Sequence, residues 1–263
     1  MSGEMNFTGE QGGDALLAIR ERAVMKKVTL FAFGMVGVSP AFAVEVNEIM
    51  DADSDGIVVV SNVAGEVEVR GWSRDQVEVT GDLGSRVEEL IFERDDDEIL
   101  IKVKVPRNSN GGVSSDLYIN IPVASSLQVN TVSADIDVSD VEGEQELESV
   151  SGDVVTEAHA SDIDLGSVSG DIEVEGDNQD IRSRMNTVSG DIDADSLAGE
   201  IAAESVSGDV STINGRFERA SLNTVNGNIT YHASLLDGGR LDIETINGTV
   251  DVQFDGDVSV SYT

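Results

Sequence analysis

The sequence predicts an all-β fold, a single-chain β-solenoid of about seven coils with a β cap at its N-terminal end. Three observations predict it: a tetrapeptide that recurs every 18–21 residues, apolar residues that alternate around each copy, and the lack of a 3.6-residue apolar stripe. So short a period cannot hold a pair of helices, whereas it suits one coil of a stack of strands.

The tetrapeptide is Val-Ser-Gly-Asp in its clearest form. Its seven copies begin at Val132, Val150, Val168, Val188, Val206, Val225 and Ile246. Each glycine supplies a backbone without a Cβ at the turn between two strands. Stacked coils are about 4.8 Å apart, so seven of them make a rod about 30 Å long. One column of glycines is therefore expected, at Gly152, Gly170, Gly190 and Gly208.

Apolar residues around the tetrapeptide predict strands with one buried face. Those of the third copy are Ile163, Leu165, Val168, Ile172 and Val174. Those of the fifth are Ile201, Ala203, Val206, Val210 and Ile213. Those of the last are Leu241, Ile243, Ile246, Val250 and Val252. The equivalent Val and Ile positions of successive coils are expected to form continuous internal ladders.

Residues 44–125 read as longer alternating strands, interpreted as an N-terminal cap that continues into the solenoid region, 126–263. The candidate strands are 57–63, 66–72, 76–80, 87–93, 98–105 and 116–121. Residues 94–97 predict a hairpin turn. Residues 62–67 are similar in sequence to the repeat and are interpreted as a displaced first coil. The cap would cover strand edges that the end coil leaves bare. Bulky side chains are expected to close the other end, at Phe254 and Tyr262.

Residues 25–43 have the layout of a secretory signal peptide. Lys26 and Lys27 precede an apolar run of 11 residues, and small residues precede a cleavage site expected after Ala43. The run is shorter than the roughly 20 residues that span a bilayer, so we expect no transmembrane span once the signal is removed. A buried core helix is the alternative. Residues 1–24 are interpreted as a mis-annotated start, with Met25 the initiator, or as a disordered polar leader.

Charge and composition exclude several classes of function. The chain has 51 acidic and 16 basic side chains, a net charge of −35, which disfavours nucleic acid and anionic lipid as partners. It has no cysteine, so disulfides, Cys-ligated metals and a lipoprotein anchor are excluded. Its two histidines, His159 and His232, lie in different coils. No catalytic, cofactor-binding or metal-binding residue is predicted, and no cofactor.

The aspartates of the repeat raise the question of cations. They are Asp135, Asp153, Asp171, Asp191 and Asp209. Carboxylates about 5 Å apart repel by about 1 kcal/mol per pair even in water. Calcium suits oxygen-rich clusters, although the Gly-Gly-x-Gly-x-Asp repeat of calcium-binding solenoids is absent. Three interpretations stay open, of which the first is favoured: each Asp accepts N–H groups of its own turn, cations screen the column diffusely, or calcium binds specifically.

The Val-Ser-Gly-Asp ladder, preceded by residues 62–72 (Asn-Val-Ala-Gly-Glu-Val-Glu-Val-Arg-Gly-Trp), resembles the bacterial DUF4097 family of β-strand-repeat proteins. The resemblance covers about residues 50–263. It implies an exported β-solenoid, an adhesin label that itself rests on architecture, and no catalytic residues.

We therefore expect an exported, non-enzymatic envelope protein, in the periplasm or on the surface of a Gram-negative bacterium. It would be a rigid scaffold or adhesin-like surface for a protein or glycan partner, and self-association through the solenoid ends is open. One alternative is a polysaccharide-active β-helix enzyme. It is disfavoured because residues 126–263 hold five arginines against 29 acidic groups, with no carboxylate pair singled out. Another is a sensor or assembly factor that pairs through its end strand. Four arginines form either one basic spot or a set of salt bridges: Arg182, Arg184, Arg216 and Arg219.

Overall fold

The computed structural model describes residues 44–107 and 112–255, which form 17 strands in one continuous hydrogen-bonded sheet. No helix occurs in these two ranges, so neither range contains a helix that could cross a membrane. The predicted leader, the signal peptide and Tyr262 lie outside the described residues. The strands are β1 (Val44–Asp51), β2 (Ile57–Trp72), β3 (Gln76–Leu83), β4 (Glu89–Asp95), β5 (Glu98–Lys104), β6 (Ser115–Pro122), β7 (Ser126–Ser139), β8 (Gln145–Glu148), β9 (Val154–Ala158), β10 (Ile163–Gly166), β11 (Ile172–Gly176), β12 (Asp180–Asn186), β13 (Ile192–Asp195), β14 (Ala198–Ser205), β15 (Val210–Asn226), β16 (Ile229–Asn247) and β17 (Val250–Phe254).

The chain winds as a β-solenoid with two faces, which confirms the predicted fold. The first face contains β8, β10, β12 and β14, and the second contains β9, β11 and β13, all paired in parallel with the equivalent strand of the next coil. The long strands β7, β15 and β16 cross from one face to the other. The stack makes about six turns.

Parallel register places equivalent apolar residues directly above one another. On the first face Leu147, Leu165 and Met185 pair in successive coils, and none of the three is exposed. On the second face the column is Val154, Ile172, Ile192, Val210 and Ile229. These columns are part of the internal ladders that the alternation predicted, and they meet in one core between the faces. Val250 and Val252 of the last copy, which were predicted to be buried, are exposed at 43% and 37%.

The N-terminal region joins the same stack. Strand β2 pairs in parallel with β7 along both faces, so that Gly65 stands opposite Ala134 of the first tetrapeptide copy. This confirms residues 62–67 as a displaced first coil. Strands β5 and β6 add a further layer, and β4, β3 and β1 close that end in antiparallel pairing. The hairpin turn at residues 94–97 is confirmed between β4 and β5. Strand β1 was not predicted, and the cap boundary near residue 125 stays a prediction.

Aromatic side chains fill the core towards the C-terminal end. The ring of Tyr231 lies 6.2 Å from that of Phe217 and 5.8 Å from that of Phe254. Burial raises the pKa of Tyr231 to about 12, and its hydroxyl donates a hydrogen bond to the carbonyl of Ser234. Phe254 packs against the core as expected.

Candidate interaction surface

The edge where the first face turns into the second carries the tetrapeptides, one above another. The amide of Ser169 donates to the carbonyl of Val150 at 3.1 Å, and that of Ser189 donates to Val168 at 3.0 Å. The same bond recurs in the next two coils, from Ser207 and Asn226. Because the turns are bonded to one another as regularly as the strands, each tetrapeptide position forms a straight column.

The glycines form the predicted column, and close approach explains them. A Cβ on Gly170 would lie 2.0 Å from the carbonyl oxygen of Gly152, and one on Gly190 would lie 2.0 Å from that of Gly170. The contact repeats at Gly208, Gly227 and Gly248. Their φ angles lie outside the left-handed region, so the requirement is for space between coils and not for an unusual backbone conformation.

A hydroxyl residue precedes each aliphatic residue of the repeat and is buried in the first six copies and half-buried in the last, a feature that the sequence reasoning missed. The residues are Thr131, Ser149, Ser167, Thr187, Ser205, Thr224 and Thr245. The Ser167 hydroxyl accepts the N–H of Gly170 at 2.8 Å, and the Thr224 hydroxyl donates to the carbonyl of Gly208 at 2.9 Å. These bonds satisfy backbone groups at the crowded turn. The signal was available, since Ser or Thr stands before all seven copies.

The aspartates form a second column, and their bonding corrects the favoured interpretation. Each carboxylate accepts the N–H of the residue at its own position in the next coil, and not one of its own turn. The distances are 2.9 Å from Asp171 to Asp153 and 2.8 Å from Asp191 to Asp171. The column ends in Asn228, whose amide oxygen accepts the N–H of Thr249. Each Asp therefore ties two coils together through a charge-assisted bond.

The described residues give no direct sign of a cation. In residues 44–107 and 112–255, no three or more His, Asp or Glu side chains are grouped to hold a metal ion. Specific calcium binding and diffuse screening both stay untested.

The aliphatic residues of the tetrapeptide are exposed, which corrects the prediction that they form internal ladders. The fractional exposures of these residues are Val132 49%, Val150 46%, Val168 45%, Val188 46%, Val206 44%, Val225 37% and Ile246 68%. We call this column the aliphatic stripe. The cause is strand parity: Leu165 and Ser167 both point inwards, so Val168, three residues after Leu165, must point outwards.

A shallow groove of about 330 Å³ runs beside the C-terminal half of the stripe. Thr187, Ser205 and Thr224 are among its lining residues, as are Val206 and Val225 from the stripe. The outer wall of the groove is formed by Asn186, Glu204, Asn223 and Glu244 on the first face. The same column continues towards the N-terminal end through Gly166 to Glu148, so acidic residues alternate with amides and one glycine along it. On the other side, the aspartate column follows the stripe three residues later in each turn, beyond an exposed Ser or Asn and a Gly, so acidic residues lie on both sides of the stripe.

One carboxylate near the aspartate column has a shifted pKa. Burial raises the pKa of Asp193 above its ordinary 3.8, and a hydrogen bond from the Ser211 hydroxyl opposes the shift. The neighbouring charges of Asp191, Asp171 and Asp209 raise it further. Part of the pKa shift of Asp193 therefore comes from the carboxylates of the aspartate column.

Three of the four arginines, Arg182, Arg184 and Arg219, line one shallow pocket on the first face, and all four form salt bridges with carboxylates. Arg182 and Arg219 both contact Glu200, at 3.8 and 2.8 Å, and Arg182 also contacts Asp162. The other two pairs are Arg184–Asp164 at 2.9 Å and Arg216–Asp180 at 3.0 Å. All are exposed, so each pair is worth about 0–1 kcal/mol.

The two histidines lie far apart in the stack. His159 contacts Asp177 at 3.5 Å in the second tetrapeptide coil, while His232 contacts Asp251 at 3.1 Å in the sixth. The structure brings neither of them to the stripe or to the other histidine.

Comparison with known proteins follows this architecture. A family model described as Toastrack DUF4097 matches residues 48–263. The chain belongs to the DUF4097 (Toastrack) family. Among curated proteins, no match to this Toastrack chain is found.

Three of the solved structures similar to the Toastrack chain come from Clostridium and Parabacteroides species. A "putative cell adhesion protein" from Clostridium sporogenes shares 11% identity, with 80% of this chain and 100% of that chain covered and a TM-score of 0.30. A "putative lipid binding protein" from Parabacteroides distasonis shares 15%, with 80% and 97% covered and a TM-score of 0.42. A "putative adhesin" from Parabacteroides merdae shares 10%, with 80% and 96% covered and a TM-score of 0.34.

Proposed function

We propose that this chain is an exported, non-enzymatic protein of the bacterial envelope, a rigid acidic rod with an adhesin-like interaction surface. The observation that carries the proposal is the aliphatic stripe, which presents an apolar side chain to solvent at the same place in all seven copies of the tetrapeptide. A repeated apolar column on an otherwise highly charged surface is typical of a binding site.

The rest of the surface supports binding over catalysis. The repeat coils hold no long insertion that would build a cleft, and the groove beside the stripe is open and shallow. The arginines are paired with carboxylates, and each histidine pairs with carboxylates in a separate coil, away from the groove and the stripe. Membership of the DUF4097 (Toastrack) family agrees with an interaction role.

Export is the second part of the proposal and rests on the layout of residues 25–43. N-terminal sequencing of the mature protein should begin at Val44-Glu45-Val46. Fractionation and surface protease shaving would then separate a periplasmic scaffold from an exposed adhesin. A chain that keeps Met1 in the cytosolic fraction would contradict export.

Complementation tests the role of the stripe in cells. In a deletion strain, the wild-type gene should restore surface attachment and envelope integrity, whereas a Val168→Ser, Val188→Ser, Val206→Ser triple variant should not. Val155→Ser is the matched control, because Val155 is similarly exposed (38%) but lies on the second face, away from the stripe. Full complementation by the triple variant would refute the stripe as the functional surface. Turnover of a glycan that one carboxylate substitution abolishes would refute the non-enzymatic assignment.

A further inference from the structure

The stripe is long enough to bind an extended partner. Its seven side chains span six coil steps of about 4.8 Å, or about 29 Å. The backbone hydrogen bonds between turns hold them in line, so the surface is preorganised and little ordering is needed on binding. Contiguous exposed apolar surface of this kind is uncommon on a soluble monomer.

The flanks select the charge of the partner. One flank is the aspartate column, in which Asp153, Asp171 and Asp191 are exposed. The other carries the exposed Glu148, Glu204 and Glu244. A partner that covers the stripe must bring basic groups to both sides, since like charges brought together across an interface are destabilising.

The same flanks argue against two other occupants. Two stripes packed face to face would set an acidic flank against an acidic flank in either orientation, on chains that each carry −35. Anionic lipid surfaces would be repelled in the same way. A basic segment of a different protein meets neither obstacle.

Spacing selects the conformation of that segment. An α-helix advances 5.4 Å per turn, close to the coil step of about 4.8 Å, so successive turns stay within reach of successive stripe residues. An extended strand repeats one face every 6.6–6.8 Å and loses about 11 Å of register over six steps. A helix that covers the 29 Å stripe has about 19 residues.

We propose that the aliphatic stripe and its two acidic flanks bind a basic amphipathic α-helix of about 19 residues from another protein. The helix lays its apolar face along the seven aliphatic side chains and directs Lys or Arg side chains to the carboxylates on either side. This inference rests on the proposed function and names the partner class for that same surface.

The probe is a synthetic 19-residue peptide of Leu and Lys, with Leu at i, i+3, i+4 and i+7 spacing. A scrambled peptide of the same composition has the same charge without an apolar face. Binding to the full chain is measured by calorimetry at about 0.15 M NaCl, where screening limits non-specific attraction. Circular dichroism follows the helix content of the peptide.

The amphipathic peptide should gain helix and bind wild type and Val155→Ser alike. The triple stripe variant and the scrambled peptide should each weaken binding by at least about tenfold. A double variant with Glu148→Gln and Glu204→Gln should bind the amphipathic peptide more weakly than wild type does, and this binding should depend less on salt.

The inference is wrong if the scrambled peptide binds as tightly as the amphipathic one, or if the triple variant binds as tightly as wild type. It is also wrong if light scattering shows dimers that depend on the stripe. If the amphipathic peptide does not bind, the inferred partner class is wrong. The proposed function is tested separately, by whether the triple variant complements the deletion strain. Binding that leaves the peptide unfolded would refute the helical conformation.

Discussion

The glycine column gives the sharpest test of coil packing. In Gly190→Ala the new Cβ would lie 2.0 Å from the Gly170 carbonyl oxygen, and contacts under 3.0 Å are essentially never seen, so the coils must separate locally by about 1 Å. That movement strains the 2.8 Å bond from the Asp191 amide to Asp171. Overpacking of this kind costs about 1–3 kcal/mol, and a weakened hydrogen bond adds about 1 kcal/mol.

We therefore expect Gly190→Ala to lose about 3 kcal/mol, which lowers the melting temperature by about 6–12 °C for a chain of this size. Gly166→Ala is the matched control, because its Cβ would meet only the Glu148 side chain, at an ordinary 3.8 Å. It should be neutral or stabilising by about 0.4–1 kcal/mol. Thermal and urea unfolding of both variants provide the measurement. If Gly190→Ala has the same melting temperature as wild type, or if Gly190→Ala and Gly166→Ala destabilise the protein equally, the close-approach explanation is wrong.

Three further predictions follow from burial and charge. Leu165→Ala should cost about 2–5 kcal/mol in urea unfolding, whereas Val168→Ala should cost under about 0.5 kcal/mol; similar losses would contradict the assigned parity. The raised pKa of Asp193 means that its protonated form stabilises the fold below pH 3.8 and that this contribution is lost as pH rises through the folded pKa. The free energy of unfolding of Asp193→Asn should therefore rise relative to that of wild type as the pH goes from acid to neutral. If the difference between the two proteins is the same at both pH values, the pKa of Asp193 is not raised. Thermal stability of wild type should rise from low salt to about 0.5 M NaCl as repulsion is screened, and a fall would contradict it.

The architecture was readable from sequence because stacking imposes one spacing on every coil. The glycine column at Gly152 and Gly170 and the displaced first coil were predictable, since a repeated residue in a solenoid must meet its own equivalent. Strand β1 was missed because its pairing with β3 is antiparallel and lies outside the repeat.

The exposure of the aliphatic stripe was not predicted, because hydrophobicity was equated with burial. Leu165 and Val168 are three residues apart, and strict alternation can place only one of them inside. The inward position at the turn belongs to Ser167, a small polar residue whose hydroxyl satisfies the crowded backbone. The bonding of Asp171 to the adjacent coil was likewise beyond sequence reasoning, since a turn aspartate has nearby amides both in its own turn and in the next coil.

Thiol accessibility tests the central claim most directly, that the tetrapeptide aliphatic column lies outside the core. The chain has no cysteine, so single substitutions give unique labels. In the folded protein Val150→Cys, Val168→Cys and Val188→Cys should react with a maleimide about as fast as an unfolded chain, and Leu147→Cys and Leu165→Cys should react only on unfolding. Protection at the three valine positions, or fast labelling at the two leucine positions, would contradict the account.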